Sequence, residues 1–278
     1  MIVTSDWHIH SEASYDAKLP LSEITKNAKE YGFRTVGITD HANFNTLSFI
    51  NDIKNSARIV NDFKAENIRV VLGVELTPIE KPEFEYNKIH GYREGYVHPE
   101  TDKPYDIMLA MTKDELKKLG VRYGIGASHW RIDKPYAWKD DMNVEASIKE
   151  WHRQQLFLAN DERVTVLGHP WYNGRSLWYQ DFSIIPRSMN MELADALKKN
   201  GKYVECNAHF FNTPSTSEKF RNQYAEFLRE LFEMGIPVTY GSDSHNEYLP
   251  VHLNTEKYLS SAGFKEGDIG GLPDEILW

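Results

Sequence analysis

The stretch Val164-Thr-Val-Leu-Gly-His-Pro170 decides how the rest of the chain is read. Its β-branched, apolar and small residues make a short buried strand, a histidine stands at the end, and a proline stops the ladder just beyond it. The same order recurs elsewhere. Val36-Gly-Ile-Thr39 runs into His41, Val70-Val-Leu-Gly-Val74 into Glu75, residues 121–128 into His129, and 237–242 into Asp243 and His245. At the N-terminus, residues 1–7 run into His8 and His10, and Asp16 lies in the loop that follows. Parallel strands deliver such side chains to one rim, so a metal cluster is the expected product.

Between these runs lie amphipathic stretches. The spacing predicts helices at about 20–31, within 47–65, and at 113–119, 144–159, 189–200, 217–234 and 255–262. Strands are expected at 1–7, 34–39, 69–75, 121–128, 164–168, 202–207 and 237–242. The alternation is that of an α/β protein. Right-handed crossovers make such strands parallel, and closing about seven of them gives a TIM-like barrel with its chemistry at the strand C-termini. Residues 77–112 break the pattern with charged, Pro- and Tyr-containing sequence and read as an insertion loop. A single domain over 1–278 accounts for the length, and no fixed-period repeat is present.

Composition narrows the function classes. Apolar residues make up 41% and charged residues 26%, as in a soluble globular protein. No run approaches the roughly 20 apolar residues that span a bilayer, and no basic segment precedes an apolar one at the N-terminus, so no membrane association and a cytoplasmic location are expected. Cys206 is the one cysteine, which rules out an intramolecular disulfide. A net charge of −9 argues against general nucleic-acid binding, although bound divalent ions would reverse the sign locally and admit a small phosphate.

His8-Ile-His10 places two imidazoles on the same side of an extended backbone, where they can grip one ion. Glu75 can bridge two cations through its two oxygens. Gly241-Ser-Asp-Ser-His245 offers two ligand types two residues apart. Taken singly, each is also what a turn aspartate, a helix cap or a surface histidine looks like.

Taken in order, Asp-x-His-x-His-Ser from Asp6, Thr-Asp-His ending at His41, Gly-x-Glu at Glu75, Ser-His at His129, Gly-His-Pro at His169 and Ser-Asp-x-His ending at His245 resemble the polymerase and histidinol phosphatase (PHP) family, in its histidinol-phosphatase-like branch. The resemblance runs from Asp6 to His245. It implies a distorted seven-stranded TIM-like (β/α)7 barrel that holds two or three divalent metals and cleaves phosphoesters. It also implies a first metal on His8, His10, Glu75 and Asp243, a second on Glu75, His129 and His169, and a third on Asp16, His41 and His245. Some relatives carry histidine where Asp16 stands. Ligands without thiolate suit zinc, manganese or iron.

Coordination lowers the pKa of water from about 15.7 towards about 7, so the expected nucleophile is a hydroxide bridging two ions, and no protein nucleophile is required. Asp243 and His245 are candidates for proton transfer. Asp6 and Asp40 are candidates for orienting ligand imidazoles through their second ring nitrogen. Arg131 and Arg175 are candidates for clamping phosphate, and Glu205, Asn207 and His209 for approaching the pocket. Trp7, Trp130, Trp171, Tyr172 and Trp178 read first as barrel packing and second as a wall for an organic leaving group. His90, His98, His152 and His252 read as surface residues. The resulting expectation is a phosphatase for a small phosphorylated substrate, such as histidinol phosphate. The alternatives are a phosphodiesterase or exonuclease acting on nucleotides, and a non-catalytic metal-stabilised binding module.

Overall fold

A computed structural model describes residues 1–43, 47–64, 67–90, 106–129, 144–172 and 180–278. The chain runs through β1 (Ser5–Ile9), α1 (Leu21–Glu30), β2 (Thr35–Ile38), α2 (Leu47–Asp62), β3 (Arg69–Leu72) and β4 (Val74–Leu76). It continues through β5 (Ile79–Glu80), α3 (Lys81–His90), β6 (Ile107–Met108), α4 (Lys113–Lys118), β7 (Gly124–Ala127), α5 (Val144–Asn160) and β8 (Val166–Gly168). The last elements are α6 (Arg187–Lys199), β9 (Tyr203–Asn207), α7 (His209–Asn212), α8 (Glu218–Glu233), β10 (Val238–Gly241) and α9 (His252–Ser261).

The strands form a distorted parallel barrel. One sheet has the order β1-β2-β3 and the other β10-β9-β8-β7-β4, all paired parallel. β3 and β4 are two halves of one strand, broken at Gly73. Its N–H donates to Ile38 at 2.8 Å, while the N–H of Val74 donates to Tyr123 at 3.1 Å, so the chain changes partners there. The ring closes where Asp243 N–H donates to His8 O at 2.8 Å and His10 N–H to Ser244 O at 2.9 Å.

Two apolar layers follow from strand alternation. Outward residues such as Ile9, Val36, Ile38, Val204 and Val238 pack with the helices, whose buried stripes include Leu21, Ile24 and Ala28 on α1 and Phe220, Tyr224 and Leu228 on α8. Inward residues Trp7, Val71, Tyr123, Ile125 and Val166 pack with Tyr203, Leu272 and Leu277. The terminal stretch thus closes the lower end of the barrel, and Trp278 N–H donates to Arg122 O at 2.6 Å. Above this plug lies Tyr123, whose hydroxyl donates to Trp7 O at 2.7 Å. A Cβ on Gly37 would sit 1.9 Å from that hydroxyl, and one on Gly73 2.5 Å from the ring, so both strands carry glycine where the phenol crosses.

Residues 77–112 are not a structureless insertion. Ile79 pairs with Met108 and Glu80 with Ile107 in an antiparallel ladder, and α3 grows directly from β5. Arg153 on α5 donates to Glu80 at 2.9 Å and fixes the base of this excursion; residues 91–105 lie outside those described. His252, expected at the surface, is buried instead, its ring 4.8 Å from that of Phe33. His152 is partly covered, His90 is exposed, and His98 lies outside the described residues. Among the described residues, no helix is long and apolar enough to cross a membrane.

Candidate active site

All nine metal-favoured residues meet at the C-terminal rim of the barrel. Their delivery begins with a shift of register in β1 between Asp6 and Ile9. Trp7 joins the inner core, yet the next residue, His8, also faces the barrel interior and contacts Glu75 and Glu205. A regular strand would send one of the two outward; an irregularity there re-aims a side chain. Two turns carry ligands in strained backbone: φ is 24° at His169 and 57° at Asp243, a region that non-glycine residues occupy only when their surroundings hold them there.

Glu75 lies at the centre and is buried. Its Oε2 is 3.5 Å from His8 Nε2, 3.2 Å from His10 Nε2 and 3.1 Å from His41 Nδ1. Its Oε1 is 3.4 Å from His129 Nε2 and 3.2 Å from His169 Nε2. Asp243 Oδ1 is 3.5 Å from His8 Nε2 and 3.4 Å from His10 Nε2, and those two nitrogens are 3.2 Å apart. Beside them, Asp16 Oδ2 is 3.2 Å from His41 Nε2 and 3.6 Å from His245 Nε2.

These distances suit cations. Around a tetrahedral ion with ligand bonds of about 2.0–2.1 Å, neighbouring donors lie about 3.3–3.4 Å apart. The four donors of His8, His10, Glu75 and Asp243 have five separations of 3.2 to 3.5 Å between them. Glu75 Oε2, His10 Nδ1 and His169 Nδ1 are buried polar atoms without a hydrogen-bond partner, although burial ordinarily demands one. A cation satisfies the carboxylate oxygen. His8, His10 and Asp243; His8, Glu75 and His169; and His10, Asp16, His41 and His245 each bring their donor atoms within 4.8 Å of one another.

The electrostatics of the cluster favour positive charge beside its carboxylates. Burial would push the imidazole of His10 down, but the carboxylates of Asp243 and Glu75 beside it outweigh that and hold the group up at about 10. Burial likewise opposes the charged form of His8, yet Glu205, Asp243 and Glu75 raise it well above the ordinary histidine range. Burial would raise Glu75, and His41, His129 and His8 instead hold it well below the usual carboxylate range. Asp16 is held low in the same way, by His245 and His41 against burial.

Several imidazoles have fixed tautomers, which frees the other nitrogen for a metal. His8 Nδ1 donates to Glu205 Oε1 at 2.7 Å and His245 Nδ1 to Asp243 O at 2.9 Å. His129 Nδ1 lies 2.9 Å from Thr77 Oγ1. Asp6 and Asp40, expected to play this part, do not. Asp6 accepts from His8 N–H at 3.2 Å, Ser242 N–H at 3.0 Å and the Tyr248 hydroxyl at 3.0 Å, fastening β1 to β10. Asp40 accepts from Ser11 N–H and Ser11 Oγ, both at 2.6 Å, fixing the loop after β1. Both touch the backbone beside a ligand rather than its ring. Glu205 does the work expected of them, and its signal in the sequence was its place two residues before Asn207 on one face of β9.

A cavity of about 370 Å³ opens over the cluster, lined beyond the metal-favoured residues by Tyr15, Asn43, Tyr172, Asn207, His209 and Phe210. His209 and Asn207 reach the pocket, and burial pushes the His209 imidazole down, towards its neutral form. Tyr172 is a wall residue. Trp7 and Trp171 are packing residues, Trp171 lying against Phe182, Tyr224 and Phe227. Trp130, Arg131, Arg175 and Trp178 lie outside the described residues.

Comparison with known proteins gives the class to which this barrel and rim belong, that of metal-dependent phosphatases. Residues 6–209 match the PHP domain, and the chain belongs to that family. It is similar to a probable phosphatase of Acetivibrio thermocellus, 25% identical over 251 residues that cover 86% of this chain and 78% of that protein. A shorter stretch of 69 residues, 24% of this chain and 5% of the relative, is 33% identical to the DNA polymerase III subunit alpha of Aquifex aeolicus. The fold matches the crystal structure of a histidinol phosphate phosphatase from Lactococcus lactis in complex with zinc, L-histidinol and phosphate. The TM-score is 0.63 and the identity 20%, covering 100% of this chain and 99% of that one.

Proposed function

We propose that the protein hydrolyses a small phosphate monoester with the help of two or three divalent cations, of zinc, manganese or iron. One set would be held by His8, His10, Glu75 and Asp243, a second by Glu75, His129 and His169, and a third by Asp16, His41 and His245. The observation that carries this reading is the division of Glu75: one oxygen faces His8, His10 and His41, the other His129 and His169. A carboxylate shared in this way suits two ions side by side.

When bound, cations held by these residues would lower the pKa of water towards about 7 and offset charge on phosphate oxygens. The protein supplies the rest. Glu205 and the Asp243 carbonyl hold His8 and His245 in the tautomers that present Nε2 to the site. Asp243 and His245 both line the cavity, where they are the candidates to move the proton lost by the attacking water to the departing oxygen; Asp243, held as a carboxylate, is able to accept it first. Tyr15, Tyr172 and Phe210 offer the leaving group an aromatic wall. The cavity suits a small molecule better than a polymer, and histidinol phosphate is the first substrate to test because the matched structure from Lactococcus lactis holds L-histidinol and phosphate.

The test is elemental analysis joined to a hydrolysis screen over phosphate monoesters and diesters, for the wild type and Glu75→Ala. The expected result is two to three metal equivalents with monoester turnover in the wild type, and joint loss of metal and turnover in the variant. Preference for a diester would move the reading to a phosphodiesterase. Unchanged metal content and turnover in the variant would overturn it.

A further inference from the structure

Resting on that assignment of ligands, we infer that Glu205 is the positioning residue that couples the first two cation sites. Its carboxylate is buried at the inner face of β9, between the two ligand groups. Oε1 accepts from His8 Nδ1 at 2.7 Å, and His8 belongs to the first group. Oε2 accepts the backbone N–H of His169, a ligand of the second group and one of the two ligand residues held at positive φ. Oε2 also accepts from Asn207 Nδ2 at 3.2 Å, and the same amide nitrogen reaches Asp243 Oδ2 at 3.5 Å. Asp243 is the other strained ligand. One carboxylate therefore fixes the tautomer of a first-group imidazole, pins the strained turn of the second group, and reaches the second strained turn through Asn207.

The room for it is built into the neighbouring strand β10. A Cβ on Gly241 would stand 1.9 Å from Glu205 Oε1 and 2.6 Å from His8 Cβ, so only glycine lets the carboxylate and the imidazole meet there. The bonding demands a carboxylate rather than an amide. Three N–H donors converge on two acceptor oxygens, whereas a glutamine in the same place must turn its own NH₂ against at least one of them. A residue that merely filled the space would tolerate that exchange.

The test titrates metal-free wild type, Glu205→Gln and Asn207→Ala with Zn²⁺ against a competing chelator, with circular dichroism as the check on folding. Cobalt substitution adds a visible spectrum that reports ligand geometry. The expected result for Glu205→Gln is a folded protein whose first two zinc equivalents weaken together, by about 10–100-fold, with an altered cobalt spectrum. Asn207→Ala is expected to weaken the same two equivalents together, by less. Wild-type affinity for both equivalents in Glu205→Gln, or loss confined to one of them, would overturn the coupling while leaving the ligand assignment standing. If Glu205→Gln does not fold, Asn207→Ala decides: no loss, or loss of a single equivalent, overturns the coupling. A wild type that binds no zinc overturns both.

Discussion

His8 shows how little of a site residue's role resides in its own motif. Its ring is oriented by Glu205 on β9, given room by Gly241 on β10, and faces Glu75 on β4. Eight of the nine ligand candidates can be picked out in the sequence because they stand at or just past the end of an apolar run, and Asp16 lies in the loop after the first. Their orienting partners do not stand beside them in the sequence: Asp6 and Asp40 neighbour ligands along the chain but bond to backbone and serine, while Glu205, far along the chain, bonds the ring of His8. Gly241→Ala is accordingly expected to cost about 1–3 kcal/mol through overpacking, and to weaken zinc binding. Chemical denaturation and zinc titration of the variant measure the two effects. The protons on these imidazoles also set a pH dependence. His10 is held up at about 10, so a cation must displace a proton there. Metal uptake is expected to release protons and to tighten as pH rises through the neutral range, weakening as pH falls. Isothermal titration in buffers of different ionisation enthalpy counts the protons, and zinc affinity independent of pH would contradict the expectation.

At the scale of elements, the strands and most helices follow from apolar periodicity. α1 was expected at 20–31 and forms over Leu21–Glu30, and α8 was expected at 217–234 and forms over Glu218–Glu233. Three features escaped. The expected third strand divides at Gly73, because Tyr123 fills the space a side chain there would need. β1 changes register so that Trp7 and His8 both serve the barrel interior. The excursion at 77–112 contains β5, α3 and β6, whose ladder is two residues long and leaves no alternation to detect. Tyr123 is the side chain on which this arrangement turns, since its hydroxyl binds the backbone of β1 while its ring packs between β2 and the β3–β4 break. Tyr123→Phe is expected to cost about 1 kcal/mol for the lost hydrogen bond. Tyr123→Ala is expected to cost about 3–5 kcal/mol for the cavity as well. Urea unfolding of both variants checks the order, and equal losses would mean that packing of the ring contributes nothing.

Across the whole molecule, the barrel divides its labour between its ends. The lower end is sealed by apolar residues of the terminal stretch, and the upper rim gathers the charges. Leu272→Ala is therefore expected to lower stability by about 2–5 kcal/mol while leaving metal stoichiometry unchanged in the folded protein. Thermal unfolding with elemental analysis separates the two effects, and metal loss in a fully folded variant would contradict the division. On the proposed ligand assignment the rim would also let a chain of net charge −9 bind an anion, since cations over Glu75, Asp16 and Asp243 would reverse the local field. Anomalous X-ray diffraction at the absorption edge of the bound metal tests the central claim most directly. The account expects separate peaks within about 2.0–2.2 Å of the two oxygens of Glu75, one beside His8 and His10 and the other beside His129 and His169. Peaks elsewhere on the molecule, or none in crystals grown with excess metal, would contradict it.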